Sequence, residues 1–327
     1  MDRLPTADCQ QGKKFTIADF LKAGAERLRL SVVVGGDRLS REIEEPMANR
    51  PGLALTGFFE HFAWRRLQLF GNAEIAYLRS LDVHERIARI KTLFERRAYC
   101  VIYTNGHKPR RDEIRAADAA GAVVLATSLK TRELMHHSAF VLGRLGAPRA
   151  SIYGTMVEVC GIGVLFEGDP GMGKSETALG LVKRGHALVA DDLTCLRKDV
   201  ANDLLYGSAS ESTSGYMEIR GIGIIDVAKV FGINAVRGEK RLQLVISLRR
   251  FKDVESEIDR LGQRRRYVNI LGVDVPHMVM PVSEGRDLVN MVETAAQHQK
   301  LIIAGHDPVS ELSERLRRRA DAGTTKR

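Results

Sequence analysis

Cysteine is scarce in this chain of 327 residues, and the four present, Cys9, Cys100, Cys160 and Cys195, stand far apart with no C-x-x-C pair. That spacing suggests neither a disulfide framework nor a zinc cage, and it fits a reducing cytosol. No run reaches the roughly 18 apolar residues that a membrane span needs. The opening MDRLPTADCQQGKKFTIADF has no apolar signal core, so a cytoplasmic, unexported protein is expected. Internal repeats and low-complexity blocks are absent too. A net charge of +9 raises the question of nucleic acid, but aromatics are missing around the basic clusters RRR (Arg264–Arg266) and RLRRR (Arg315–Arg319), apart from Tyr267. Without a stacking platform, a solvated helix face or a patch for an acidic protein partner is the better account, and neither nucleic acid nor membrane is expected as a partner.

What is present is enough apolar content, 44%, to build two domains with sizeable cores. The leader reads as α/β. Phe15–Arg29 has helical spacing, LSVVVGG is strand-like, and MANRPGLALTGFF mixes turn residues with an apolar run. AYCVIYTNG and AGAVVLATS read as buried strands flanking the helix RRDEIRAADAA. TRELMHHSAFVLGRLGAP resembles a connecting helix closed by Gly146 and Pro148, which places a boundary near residue 147. The expected organisation is an N-terminal α/β domain over 1–147 for regulation or assembly, a catalytic domain over 148–310, and a charged, frayed tail over 311–327.

The stretch FEGDPGMGKSETALGLVKRG carries the chemistry. Gly168, Gly173, Lys174 and Ser175 satisfy G-x-x-x-x-G-K-[ST], with Asp169, Pro170, Gly171 and Met172 between them and Glu176 following. GIGVLFEG before it reads as a buried strand. After it, Ala178, Leu179, Leu181 and Val182 give a helix one apolar face, ended by Gly185. In a strand–loop–helix of this kind the loop N–H groups and the helix start attract anionic oxygens. Lys174 would reach the outer phosphates and Ser175 would ligate Mg²⁺.

HALVADD then reads as a strand ending in Asp191 and Asp192, which a parallel sheet would deliver beside the phosphate loop. One carboxylate can steady Mg²⁺, directly or through water, while the other accepts a proton from an attacking hydroxyl. In ESTSGYMEIRGIGIIDV, Glu218 and Arg220 alternate with Met217, Ile219 and Ile222, which puts both polar residues on one strand face. Arg260 and Arg286 are single arginines, weak signals by themselves.

Together, GDPGMGKSETALGLVKRGHALVADD, MEIRGIGIIDV, PVSEGRDLVNMVETAA and, in the leader, NRPGLALTGFFEHF resemble the HPr kinase/phosphorylase family, from about Phe15 to Pro308. The resemblance implies an N-terminal α/β domain, a C-terminal P-loop kinase domain and a hexamer. It also implies ATP- and Mg²⁺-dependent phosphorylation of a serine on the carrier protein HPr, with a reverse, phosphate-dependent phosphorylase activity, in carbon-metabolism regulation. Carried over by residue, it makes Lys174 the catalytic lysine, Ser175 and Glu218 metal ligands, Asp192 the proton acceptor and Arg260 a further active-site residue. Pro281, Val282, Ser283, Glu284, Gly285 and Arg286 fall in the loop tied to the reverse reaction.

Two departures lie near that reverse chemistry. Tyr153 stands where the family usually has histidine, and an ordinary tyrosine stays neutral at pH 7 where an imidazole can carry a proton. Ser283 and Glu284 replace a basic residue and a proline, which weakens the expected phosphorylase activity. Two other readings stay open: a kinase acting on another metabolic protein such as phosphoenolpyruvate carboxykinase, and a nucleotide-sensing module without phosphotransfer.

Overall fold

The computed structural model describes residues 6–10, 14–254, 265–283 and 285–315. The chain divides into two compact units, Gly12–Ala147 and a second that runs from Pro148 and takes in β1 (Thr6–Gln10).

In the first unit, α1 (Ile17–Leu28) starts at Thr16. The Thr16 hydroxyl accepts from the Asp19 N–H and the Asp19 carboxylate accepts from the Thr16 N–H, so donors that a helix start leaves open are satisfied reciprocally. There follow β2 (Ser31–Val34), β3 (Ala48–Asn49), the single turn α2 (Gly52–Leu55), β4 (Leu67–Phe70), α3 (Asn72–Ser80) and α4 (Val83–Glu95). Then come β5 (Cys100–Tyr103), α5 (Arg111–Ala119), β6 (Val123–Ala126) and α6 (Thr131–Leu145).

The sheet order is β2-β6-β5-β4-β3, with β3 to β6 parallel and β2 antiparallel at the edge. Cys100, Ile102, Val123 and Leu125 pack with Phe20 of α1 and Leu142 of α6. Their neighbours Val101, Tyr103, Val124 and Ala126 pack on the opposite face with Leu78, Ile90 and Leu93 of α3 and α4. Both faces are covered, which is why CVIY and VVLA read as continuous apolar runs.

The second unit begins with β7 (Arg149–Tyr153), β8 (Thr155–Val159), β9 (Ile162–Glu167), α7 (Lys174–Lys183) and β10 (Ala187–Ala190). It continues with β11 (Leu193–Asp199), β12 (Leu204–Ser208), the hairpin strands β13 (Tyr216–Ile219) and β14 (Gly223–Asp226), and α8 (Val227–Phe231). β15 (Lys240–Arg250), α9 (Phe251–Val254), β16 (Arg266–Ile270), β17 (Val273–Val282) and α10 (Leu288–Ile303) complete it.

The main sheet runs β1-β7-β11-β12-β15-β9-β8-β10, with β17 also beside β15 and β16 beside β17. β1 pairs with β7, so a strand from the leader adds to the second unit's sheet and takes over the edge position from β7. On one face Val164, Phe166 and Ile246 pack with Ala178, Leu181 and Val182 of α7 and with Val292 and Ala296 of α10. On the other, Leu165 and Val245 pack with residues of β11, β12, β16 and β17.

The expectation of a parallel sheet around the phosphate loop needs correction. β9, β15 and β17 are parallel, but β8 is antiparallel to both β9 and β10 and lies between them. The two-residue connection Cys160–Gly161 is the reason: it is too short for a crossover, so β8 and β9 must be antiparallel neighbours. β10 still points the same way as β9, and both strand ends reach one edge. Residues 308–315 are helical, so the tail expected from residue 311 starts as helix, and 316–327 lie outside the described residues.

Two glycine substitutions test these packings. The missing Cβ of Gly163 lies against the Arg241 carbonyl oxygen across the β9–β15 ladder, whereas that of Gly143, inside α6, has nothing within 4 Å. Gly163→Ala should therefore cost about 1–3 kcal/mol by overpacking. Gly143→Ala should gain about 0.5–1 kcal/mol. Urea denaturation of each variant reads both signs.

Candidate active site

The glycine-rich loop expected to bind phosphate links β9, buried along its whole length, to α7. Gly168, Gly171 and Gly173 have φ of 150°, 85° and 82°, backbone that L side chains rarely adopt. A Cβ on Gly168 would also sit 2.6 Å from the Leu248 carbonyl oxygen. Met172 anchors the loop by burying its side chain in the core, while Asp169, Pro170 and Gly171 face solvent. Lys174 opens α7, and its Nζ donates to the carbonyls of Gly168 at 2.7 Å and Asp169 at 3.2 Å. The ammonium thus lies across the mouth of the loop, held by the loop's own oxygens. Ser175 is half-buried behind it and Glu176 is exposed.

Asp191 and Asp192 leave β10 in opposite directions. Asp191 is only 8% exposed. Its Oδ1 accepts from the Thr155 hydroxyl at 2.8 Å and the Ser175 hydroxyl at 3.0 Å, and its Oδ2 accepts from the Glu218 N–H at 3.3 Å. Burial holds its carboxyl above the ordinary carboxylate value, opposed by the two hydroxyl donors and reinforced by Asp192. With the folded value raised, its contribution to stability is complete below the unfolded value and is lost as pH rises through the folded one. Asp192 is exposed and left-handed, with φ of 60°. Its carbonyl oxygen accepts from the Gly154 N–H at 2.8 Å, which fixes the bend.

A cleft at this edge is lined by Pro170, Gly171, Gly173, Lys174, Ser175, Glu176, Asp192, Glu218 and Arg220. Glu218 comes from β13, where Met217 and Ile219 are buried and Tyr216 and Glu218 exposed, the alternation that the sequence suggests. Arg220 lies past the strand end in the hairpin turn, with its guanidinium near Gly171. Ile222, expected on the apolar face, is instead 73% exposed, because the turn between β13 and β14 carries it out of register.

Behind the loop sits a network that sequence reasoning missed. Glu167, the last residue of β9, is 3% exposed, accepts from the Ser247 hydroxyl and pairs with Arg249 at 2.8 Å. The Ser247 oxygen lies 2.6 Å from His277 Nε2. As the serine proton goes to Glu167, the imidazole is the donor. Thr155 was missed as well; only its place two residues after Tyr153 hinted at a role.

Tyr153, 64% exposed, ends β7 opposite Leu193, next to the Asp192 backbone. Pro281 and Val282 end β17. Ser283 and Gly285 follow, and Arg286 stacks over the Phe251 ring at 5.4 Å, outside the residues lining the cleft. Arg260 and Glu284 lie outside the described residues. Of the basic clusters, Arg265 is paired with Asp307 at 2.5 Å.

The family model described as HPr Serine kinase N terminus matches residues 16–142, and that of the HPr Serine kinase C-terminal domain matches 145–316. An HPr kinase/phosphorylase of Leptospira biflexa is 40% identical over 291 residues, 88% of this chain and 90% of the relative. One of Caldicellulosiruptor bescii is 42% identical over 284 residues, 86% of this chain and 90% of the relative. A solved structure of the Hpr(Ser) kinase/phosphatase from Coxiella burnetii is 36% identical and covers 50% of this chain and 97% of its own, with a TM-score of 0.45.

The left-handed Asp192 yields a stability test. Asp192→Val, β-branched, should lose about 1–2 kcal/mol there. Asp192→Gly should keep at least the parent stability. Thermal melts that rank valine equal to glycine would contradict the assigned backbone.

Proposed function

This chain belongs to the HPr serine kinase family, and we propose that it transfers the terminal phosphoryl group of ATP, with Mg²⁺, to a serine of the carrier protein HPr. It is a protein serine kinase; ATP, Mg²⁺ and HPr as acceptor are our reading. The observation that carries it is the convergence of Lys174, Ser175, Asp192, Glu218 and Arg220 on one cleft at the mouth of a glycine loop. A nucleotide-sensing module has no need for the exposed carboxylate of Asp192 beside that loop. The same membership supports a homohexamer in the cytoplasm, which sedimentation of the purified chain would test as six copies.

The residues present fit a nucleoside triphosphate and a divalent cation. Gly168, Gly171 and Gly173 give the loop backbone positive φ, and α7 begins at its end, where the first N–H groups of a helix have no partner from an earlier turn. Because the Ser175 hydroxyl donates its proton to Asp191, the oxygen's lone pairs are free toward the cleft, and Glu218 supplies a carboxylate opposite. These two residues would hold the cation, which when bound neutralises charge on the outer phosphates. Lys174 exchanges its loop carbonyls for phosphate oxygens, a trade of neutral acceptors for charged ones. Asp192 stands in solvent contact where an incoming serine hydroxyl can reach it, and it takes up the proton that the serine loses. Asp191 orients Ser175 and touches the backbone of Glu218, so it positions both proposed cation ligands.

The reverse reaction is weakened in this reading. Phosphorolysis must return a proton to the departing serine oxygen, and Tyr153, beside Asp192, does not become cationic as the family's histidine can.

Purified protein incubated with ATP, Mg²⁺ and HPr should phosphorylate HPr. Lys174→Ala should lose about 10²–10³-fold in rate. Asp192→Asn should lose about 10²-fold in the chemical step with a smaller change in ATP affinity. Label appearing on another protein of a lysate but not on HPr would redirect the substrate while keeping the kinase. Unchanged activity in Lys174→Ala would remove the phosphate-loop assignment itself.

Pyrophosphate release from phosphorylated HPr at saturating phosphate should be slow in the parent and rise about 10-fold in Tyr153→His. Fast release by the parent would show that Tyr153 does not limit phosphorolysis.

A further inference from the structure

At the end of α7 remote from Lys174, three groups from three separate elements face one another. The Cys160 thiol, the His186 imidazole and the Glu293 carboxylate offer atoms all within 4.8 Å of each other, each half-buried. Cys160 comes from the β8–β9 turn, His186 follows α7, and Glu293 lies on α10. We propose that Cys160, His186 and Glu293 form a binding site for a thiolate-preferring divalent transition-metal ion, Zn²⁺ by ligand type, separate from the phosphotransfer cleft.

The surroundings are arranged for it. Arg184 binds Glu293 Oε2 at 2.9 Å, which leaves Oε1 facing His186 Nε2 at 3.2 Å. Gln297 directs its amide Nε2 at Cys160 Sγ from 3.7 Å, a weak donor suited to a thiolate. Lys300, one turn further along α10, donates to the Cys160 carbonyl oxygen at 3.2 Å and ties the turn to the helix.

The choice of residue in the turn is the second observation. Cys160 and Gly161 have φ of 52° and 87°. A two-residue hairpin turn with both centres left-handed favours Asn, Asp or Gly at the first, and a cysteine there breaks the local rule. It is the residue that completes the ligand set. One thiolate, one imidazole and one carboxylate match zinc, with a fourth position for water. Zinc bond lengths put neighbouring ligand atoms about 3.3–3.6 Å apart in a tetrahedron, so binding draws the widest pair in by about 1 Å. On binding, the Cys160 thiol proton goes to solvent and His186 takes the neutral tautomer with its proton on Nδ1, so that the Nε2 lone pair ligates.

A ten-residue helix separates this cluster from Lys174, roughly 15 Å. The ion would therefore staple the β8–β9 turn to α7 and α10 and take no part in phosphotransfer.

The test uses full-length protein stripped with a chelator and titrated with Zn²⁺ or Co²⁺ alone. One equivalent of Co²⁺ should give a thiolate-to-metal absorption band, and Zn²⁺ should raise the melting temperature. Cys160→Asn keeps a residue that the turn favours, so it folds, and it should lose the band and weaken Zn²⁺ binding at least about 10-fold. Glu293→Gln should weaken binding comparably, while Glu218→Gln, in the other cleft, should leave the band intact. A band that survives in Cys160→Asn, or vanishes in Glu218→Gln, overturns the assignment. So does a parent protein that binds no equivalent of either ion.

Discussion

The cleft depends on one carboxylate kept almost dry. Asp191 receives hydrogen bonds from Thr155 on β8, Ser175 on α7 and the backbone of Glu218 on β13, so a single side chain sets the mutual position of three elements. Burial makes the charged form costly, and the three donors offset part of that cost. The arrangement is rigid for that reason: moving any of the elements away leaves a buried acceptor unpaired.

Its neighbour is the complement. The left-handed turn at Asp192 sends adjacent carboxylates to opposite environments, one inward to donors and one outward to solvent. Two acids with identical intrinsic chemistry thereby acquire different surroundings, and the proposed division between positioning by Asp191 and proton uptake by Asp192 rests on that difference. The backbone bears the strain of that division, stabilised by the bond from Gly154 to the Asp192 carbonyl oxygen.

The loop is supported from below as well as from the side. Glu167, Ser247, Arg249 and His277 join the end of β9 to β15 and β17 just before the first glycine. Val289 packs against Gly180 of α7, while the other end of that helix approaches Cys160, His186 and Glu293. A helix whose start lies at the proposed nucleotide cleft is thus packed along its length as well as at its start.

Local signals made much of this legible in the sequence. Strand–loop–helix punctuation located the glycine-rich loop, apolar runs marked β5, β6, β9 and β10, and alternation put Met217 and Ile219 inward with Glu218 outward. The family too was readable, because its motifs are contiguous. Other features depended on residues far apart in the chain. β1 joins the sheet of the second unit although it precedes the whole first unit, and β8 separates β9 from β10, because backbone edges pair by position in space. Which of two adjacent aspartates is buried followed from one backbone dihedral. Glu167 with Ser247, and Cys160 with His186 and Glu293, are separated by 80 residues or by more than a hundred at the extremes, so no spacing rule announces them. The sequence by itself determined that a glycine-rich loop would join a buried strand to a helix and which polar residues that loop would carry, since those follow from neighbours along the chain; the tertiary structure alone decided which side chains meet, since burial and hydrogen bonding act across space.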